Sequence, residues 1–420
     1  MNYFWLNEID VAKITENYGS PVYVYSESVF NEKINEVLSF SAPYSLIVRY
    51  AMKANSTSWI LKHFDTMGIE FDASSGYEVD RALLIGIDPK KIMLTAQELP
   101  GNFVELINMG VKFNATSLHQ LKSYAAKFPG TQLGIRLNPG IGSGHNKRTN
   151  VGGNDSSFGI WHEYLEDILT LAKQYKLEIH RIHIHIGSGS DPKYWQEIID
   201  RALSFLQKVP SVSILNIGGG FKVSRSSDEK STDLKSLGKK SSLSLKKFYE
   251  KTGRKIAFEI EPGNWLSAYA GILLTTIADI VDTGDKGNTF FRLDSGMTEI
   301  TRPALYGVHH PMKLIPVNRK INTNELNYDA VVVGHCCESS DILTPEIGNP
   351  ENFVSFSFPK AQIGDVLLFG AAGAYCSSMS LANYNSFPRV AEILKDNAGN
   401  FRLIRKRQTM QQIIENDSLE

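Results

Sequence analysis

Lys53 follows a mostly apolar run that begins at Leu46, and Ala54, Asn55 and Ser56 come after it in the stretch RYAMKANS. A primary amine in that place has two readings. It snorkels to water along its own stem, or it lies in a site where it is kept neutral or joined to a carbonyl as a Schiff base. Other reactive side chains also close apolar runs. Asp72 lies near the end of GIEFDAS, His183 and His185 alternate with isoleucines in RIHIHIGS ahead of Ser188, and Gly218, Gly219 and Gly220 close ILNIGGG. Glu261 and Gly263 close KIAFEIEPG. Three glycines let backbone N–H groups converge on an anion, and a helix starting just beyond would add its dipole. The same triplet also serves as a plain loop. Glu261, before Pro262, reads as a site carboxylate or as half of a salt bridge. His183 and His185 share a strand face, but zinc needs three or four ligands and no third is apparent, so no metal is assigned.

The second half offers a different set. In MTEITRPALYG, Arg302 and Tyr306 can hold a carboxylate by charge-assisted hydrogen bonds. In GHCCESSDIL, Cys337, Glu338 and Asp341 form a polar knot beside a thiol, directly after the apolar AVVV. Two buried structural cysteines are the plainer reading of Cys336 and Cys337. GAYCSSMSLANYNSFPR brings Tyr375 into a third polar segment.

These residues need a scaffold that gathers strand ends. Strand-like runs occur at 21–26, 45–53, 68–74, 91–96, 112–117, 132–139, 181–188, 214–220 and 255–263. Helical patterns such as SGYEVDRALLIG and HEYLEDILTLAKQYK separate them. Eight or nine such units in about 250 residues fit a (β/α)8 barrel, whose chemistry sits at the C-terminal ends of its strands. An open doubly wound sheet is the alternative on pattern alone. After residue 270 the runs ILLTTIADIVDTG, TFFRLDSGM, YDAVVVGHCCE and DVLLFGAAGAY predict a mostly antiparallel β domain. The polar end, RKRQTMQQIIENDSLE, is expected to fray.

Bulk properties narrow the class. The 420 residues are 42% hydrophobic and 21% charged, which suits a globular chain of two domains. Lys+Arg total 44 against 45 Asp+Glu, so charge gives no case for nucleic acid or an acidic membrane. The one basic stretch, Lys222 to Lys247, also holds Asp228, Glu229 and Asp233 and reads as a solvated helix face and loop. The N-terminus has no basic and apolar leader pattern. No run approaches the ~18 apolar residues of a membrane span. Three cysteines, two of them adjacent, make no disulfide framework and point to a reducing cytoplasm.

Taken in order, YAMKAN, HIHIGS, GGG, EPG, RPALYG, CCESSD and GAYCSSMSLANYN resemble the fold-type III pyridoxal-phosphate decarboxylases over about residues 20–390. The likeness is greatest to the branch that converts meso-2,6-diaminopimelate to L-lysine. The resemblance implies an alanine racemase-like barrel at 25–268 that binds pyridoxal 5'-phosphate. It also implies a β domain, 1–24 plus 269–420, that supplies substrate and dimer contacts. Lys53 would hold the cofactor as a Schiff base, Glu261 would face the pyridine nitrogen and His185 would stack on the ring. Asp72, Gly263 and Asn264 would line the cofactor, while Ser188, Gly219, Gly220 and Tyr375 would grip its phosphate. Arg302, Tyr306, Glu338 and Tyr375 would bind substrate, and Cys337 would give the carbanion its proton. The cysteine motif would cross to the neighbouring subunit's site, so a homodimer with shared sites is implied.

Two departures concern the substrate. Asn264 stands where the family has the arginine of E-P-G-R, and it can donate a hydrogen bond without charge. The glycine-rich segment 140–160 resembles a lid in which Lys147 or Arg148 could restore that charge. Sister decarboxylases acting on ornithine, carboxynorspermidine or a carrier-bound glutamate are the alternative. A racemase would want a tyrosine base facing the lysine. A non-catalytic relative would be expected to lack the lysine, cysteine or carboxylate, and all three are present.

Overall fold

The computed structural model describes residues 3–143, 150–187, 192–226, 229–319 and 327–418. The chain divides into two compact units. One comprises Lys33–Val223 and Lys230–Leu266; the other comprises Met1–Glu32, Ser224–Glu229 and Ser267–Glu420.

The first unit is a closed parallel barrel. Its eight strands are Leu46–Ala51, Glu70–Ala73, Ile92–Leu94, Lys112–Ala115, Gln132–Asn138, Glu178–Ile184, Ile214–Asn216 and Ala257–Ile260. Every neighbouring pair runs parallel, and the ring closes where Phe258 pairs with Leu46. The two-residue alternation of a strand decides which side chains face inward. Tyr50 meets Phe64 of the helix Ser58–Thr66 edge-on at 4.6 Å, and Phe113 stacks on Tyr124 of the helix Leu118–Lys127 at 5.4 Å. Their neighbours Arg49 and Asn114 are fully buried and polar. Inward positions of such barrels are usually filled by branched apolar residues, so this interior departs from the rule.

Short caps hold the strand ends in place. Ser75 Oγ accepts from the Glu78 N–H at 3.1 Å and Ser117 Oγ accepts from the Gln120 N–H at 3.1 Å. Each cap starts a helix within two residues of the preceding strand, leaving little slack at the site. The basic stretch read as solvated helix and loop holds most of one long helix, Leu234–Thr252, which buries Leu234, Leu237, Leu245 and Phe248. Asp233 caps it and Gly253 ends it in the left-handed region. The lysines occupy the rest of the helix surface, which masked the apolar stripe.

The second unit is built on a nine-stranded sheet. Six of its eight strand pairings are antiparallel, and two are parallel. The long strand Gly271–Asp282 is its spine, pairing in turn with Val22–Ser26, Val366–Phe369 and Thr289–Leu293. The run at 21–26, read with the alternating units, therefore belongs to this sheet. All five residues of that strand are buried, so its pattern matches a barrel strand. The helix Glu8–Tyr18, opened by a capping box between Asn7 and Asp10, packs Val11 and Ile14 on Val22, Val24, Ile272 and Ile393. Each such aliphatic side chain contributes about 1.5–3 kcal/mol by burial. The C-terminal segment is more ordered than expected. Phe401–Arg405 pairs with Ala391–Lys395, and Thr409 and Gln412 cap the helix Met410–Ile414. Among the described residues no helix is long and apolar enough to cross a membrane.

Candidate active site

At the C-terminal mouth of the barrel, several strands contribute polar groups. Lys53 lies on a single turn, Met52–Ala54, directly after the first strand, and is exposed. Asp72 lies one residue before the end of the next strand and is buried. Arg136, buried on Gln132–Asn138, sits with its guanidinium 5.0 Å from the Phe158 ring. His183 lies inside the barrel on Glu178–Ile184, and half-buried His185 follows that strand. Glu261 follows the last strand and is only 5% exposed.

Packing explains the glycine run. Gly218 and Gly220 adopt φ of +72° and +90°, values that L side chains rarely take. Gly219 has no such constraint, yet a Cβ there would lie 2.1 Å from the Glu261 carbonyl oxygen. The run is thus wedged beside the His185 ring and the Glu261 backbone, and the Glu261 N–H donates to Gly218 O at 2.9 Å.

Burial and mutual repulsion set the charges. Burial pushes the Glu261 carboxyl up to about 8; Asp72 and Glu259 add to this, while Asn216 and Arg136 oppose it. Burial raises Asp72 to about 6 against the pull of Lys53, Thr95 and Arg136. Burial holds His183 and His185 well below the usual imidazole value, with Arg136 and Lys53 reinforcing the effect. The mouth therefore offers an amine, two neutral imidazoles and two carboxyls that retain protons unusually well. Asp72 Oδ1 and the Nδ1 atoms of both histidines are buried without a hydrogen bond to any described residue.

The barrel brings together Lys53, Asp72, His185, Gly219, Gly220, Glu261 and Gly263, with Asn264 opening the turn Asn264–Ser267. Ser188, Lys147 and Arg148 lie outside the described residues. Sequence reasoning missed Arg136 and Asn216. Arg136 lies mid-strand and Asn216 ends its short strand inside the run ILNIGGG, where neither stands out from its neighbours.

The β unit gathers its own cluster. Arg302 starts the helix Arg302–Tyr306, and its guanidinium is 5.8 Å from the Tyr306 ring. Cys337 and Glu338 are exposed on the loop after the strand Tyr328–Val333. The segment around 375–387 ties these parts together. Tyr306 OH donates to Met379 Sδ at 3.9 Å, the Cys337 N–H donates to Asn385 Oδ1 at 2.9 Å, and Tyr384 OH donates to Glu338 Oε2 at 3.4 Å. Hydrogen bonds from Ser340 and Tyr384 hold the Glu338 carboxyl below its ordinary value, so it stays ionised. Tyr375 takes φ of +56°, a strained conformation for a non-glycine residue, beside buried Cys376. Asp341 accepts from the Met297 N–H at 2.7 Å and the Cys336 N–H at 2.9 Å, joining the arginine segment to the cysteine loop. Burial and Asp341 push the Cys336 thiol up to about 12, so it keeps its proton. Tyr384 and Asn385 were also missed, although their motif was recognised, because turn residues carry no periodic signal.

Known proteins share both the sequence and the fold. A family profile described as pyridoxal-dependent decarboxylase, pyridoxal binding domain, matches residues 29–268, more than half of the chain. A diaminopimelate decarboxylase of Buchnera aphidicola subsp. Schizaphis graminum is 34% identical over 417 residues, covering 97% of this chain and 96% of that one. A solved structure of diaminopimelate decarboxylase superposes with a TM-score of 0.91 at 30% identity, covering 99% of this chain and 97% of the other. The diaminopimelate decarboxylase of M. jannaschii in complex with L-lysine matches with a TM-score of 0.83 at 25% identity, covering 98% and 95%. The strand-end amine, the glycine run and these likenesses agree: the chain belongs to the pyridoxal-dependent decarboxylases.

Proposed function

We propose that this chain decarboxylates meso-2,6-diaminopimelate to L-lysine with pyridoxal 5'-phosphate as cofactor. The observation that carries this reading is the end-to-end similarity to diaminopimelate decarboxylases, which includes the β unit where the substrate's second head must be read. The barrel mouth fits the cofactor. It has an amine for the aldehyde, a glycine cradle that a Cβ would fill, and buried polar atoms lacking protein partners. When bound, the cofactor supplies an electron sink for the charge left by departing CO2.

The chain's own residues do the rest. Lys53 would hold the cofactor through Nζ, and Gly219, Gly220, Ser188 and Tyr375 would hold its phosphate. Asp72, Gly263 and Asn264 line its site. His185, a neutral imidazole, would flank the ring, and Glu261 would hold a proton at the ring nitrogen. Arg302 and Tyr306 take a substrate carboxylate, and ionised Glu338 takes its distal ammonium. Cys337, the exposed member of the cysteine pair, delivers the proton. We place Cys337 and Glu338 in the neighbouring subunit's site, within a homodimer. Their exposure supports this, as does the exposure of Leu381 and Tyr384 in the segment that holds the cysteine loop. Three free cysteines fit a cytoplasmic enzyme.

Purified protein supplied with cofactor and meso-diaminopimelate should release CO2 and L-lysine. Failure to form lysine, with turnover of ornithine or carboxynorspermidine instead, would move the chain to a sister activity. Asn264, in the place of the family's arginine, is the feature that makes this panel necessary.

A further inference from the structure

Beneath the mouth, the barrel interior carries a layer of charge that the proposed chemistry does not use. Glu259 is fully buried between two buried arginines: Arg49 Nε lies 3.1 Å from Oε1, and an Arg181 terminal nitrogen lies 3.3 Å from Oε2. Arg49 also reaches Glu70 at 2.7 Å. Such buried ion sets are weak sources of stability, because desolvation offsets the attraction. Their presence directly under a site calls for another use.

One uncharged side chain joins this layer to the site. Asn216, fully buried at the end of its strand, donates from Nδ2 to Glu259 Oε1 at 2.6 Å and to Glu261 Oε1 at 2.6 Å. Its Oδ1 accepts from the Gly218 N–H at 2.6 Å. That backbone donor fixes the amide orientation, since an N–H cannot accept. Both amide hydrogens and the amide oxygen are thereby engaged. Glu261 Oε1 is tied down, while Oε2 lies 3.4 Å from His183 Nε2.

We propose that Asn216 is the positioning residue of Glu261: its amide selects which carboxylate oxygen faces the cofactor, and it couples that carboxylate to the Arg49–Glu259–Arg181 layer and the glycine run. The inference rests on the reading of Glu261 as the partner of the ring nitrogen, and it deepens that reading. The titratable and charged groups bearing on Glu261 are Asp72, Glu259, Arg136, Arg49, Arg181 and the neutral imidazole of His183. Besides these groups, the hydrogen bond from uncharged Asn216 favours the ionised form of Glu261. Its loss raises the affinity of Glu261 for its proton.

The test uses the cofactor-loaded protein and reads the cofactor's absorbance as a function of pH. Asn216→Asp keeps size and the acceptor for Gly218 but loses both donors and adds a like charge. The expected result is a transition moved upward by about one pH unit and a cofactor dissociation constant raised about tenfold, with the melting temperature recorded alongside. Asn216→Ala removes the bridge without adding charge, shifts the transition the same way, and carries the test if the aspartate variant does not fold. A folded variant with the wild-type transition overturns the inference. Glu261→Gln separates the two readings. If it leaves the transition unmoved, the role of Glu261 itself fails; if it moves the transition and Asn216→Asp does not, only the coupling fails. Neither result depends on which amino acid is decarboxylated.

Discussion

Replacing Gly219 with alanine is a sharp test of the cradle, because this position has no positive φ and isolates packing from backbone strain. The added Cβ would stand 2.1 Å from the Glu261 carbonyl oxygen, where ordinary contacts begin at 3.4 Å. Neither partner is a flexible side-chain tip, so one backbone must move by roughly 1 Å, at an overpacking cost of about 1–3 kcal/mol. The movement falls on the loop proposed to hold the phosphate and on the residue beside the ring. At about 1.4 kcal/mol per factor of ten, apo-protein titrated with pyridoxal phosphate should show a dissociation constant raised about fivefold to a hundredfold. Gly253→Ala is the control. That glycine has φ of +72° at a helix end with open space around it. It should cost about 1 kcal/mol of stability and leave cofactor affinity unchanged. Equal cofactor affinity in Gly219→Ala and wild type would refute the packing argument.

Three further outcomes are expected. The cofactor-free protein binds a proton at Glu261 up to about pH 8, whereas an unfolded glutamate releases it near 4.5. The folded state therefore holds the extra proton between those values, and this contribution to stability falls as pH rises through them. The melting temperature of wild type minus that of Glu261→Gln should accordingly decrease from pH 5 to pH 8 in thermal scans, and a constant difference would contradict the assignment. Asp341→Ala strands two backbone donors, at Met297 and Cys336, each worth about 1–3 kcal/mol when buried. A melting point lowered by several degrees is expected, and an unchanged one would exclude the anchoring role. Mixing inactive Lys53→Ala and Cys337→Ala proteins after subunit exchange should restore about a quarter of wild-type activity if sites are shared across a symmetric dimer. No recovery would place both residues in one subunit.

Much of the barrel was legible in the sequence because each strand run ends in small or polar residues. Lys53, Asp72 and Glu261 stood out at those ends. The interior layer did not stand out. Arg49 in SLIVRY and Glu259 in AFEIE lie inside runs that read as simply apolar, and only ring closure brings them together with Arg181 and Asn216. The strand Val22–Ser26 shows the reverse limit. Its local pattern is that of a barrel strand, but its pairing with Gly271–Asp282 lies almost 250 residues away in the chain. In the β unit the motifs were visible, but the turn geometry that fastens Cys337 to Asn385 and Glu338 to Tyr384 is tertiary and leaves no period to read.

A covalent link between the cofactor and the side chain at position 53 underlies every role proposed for the barrel mouth. Borohydride reduction of the loaded protein, followed by proteolysis and mass spectrometry, should place a pyridoxyl phosphate group on the peptide containing Lys53, and Lys53→Ala should abolish it. A label on another lysine, or none with bound cofactor, would contradict the account.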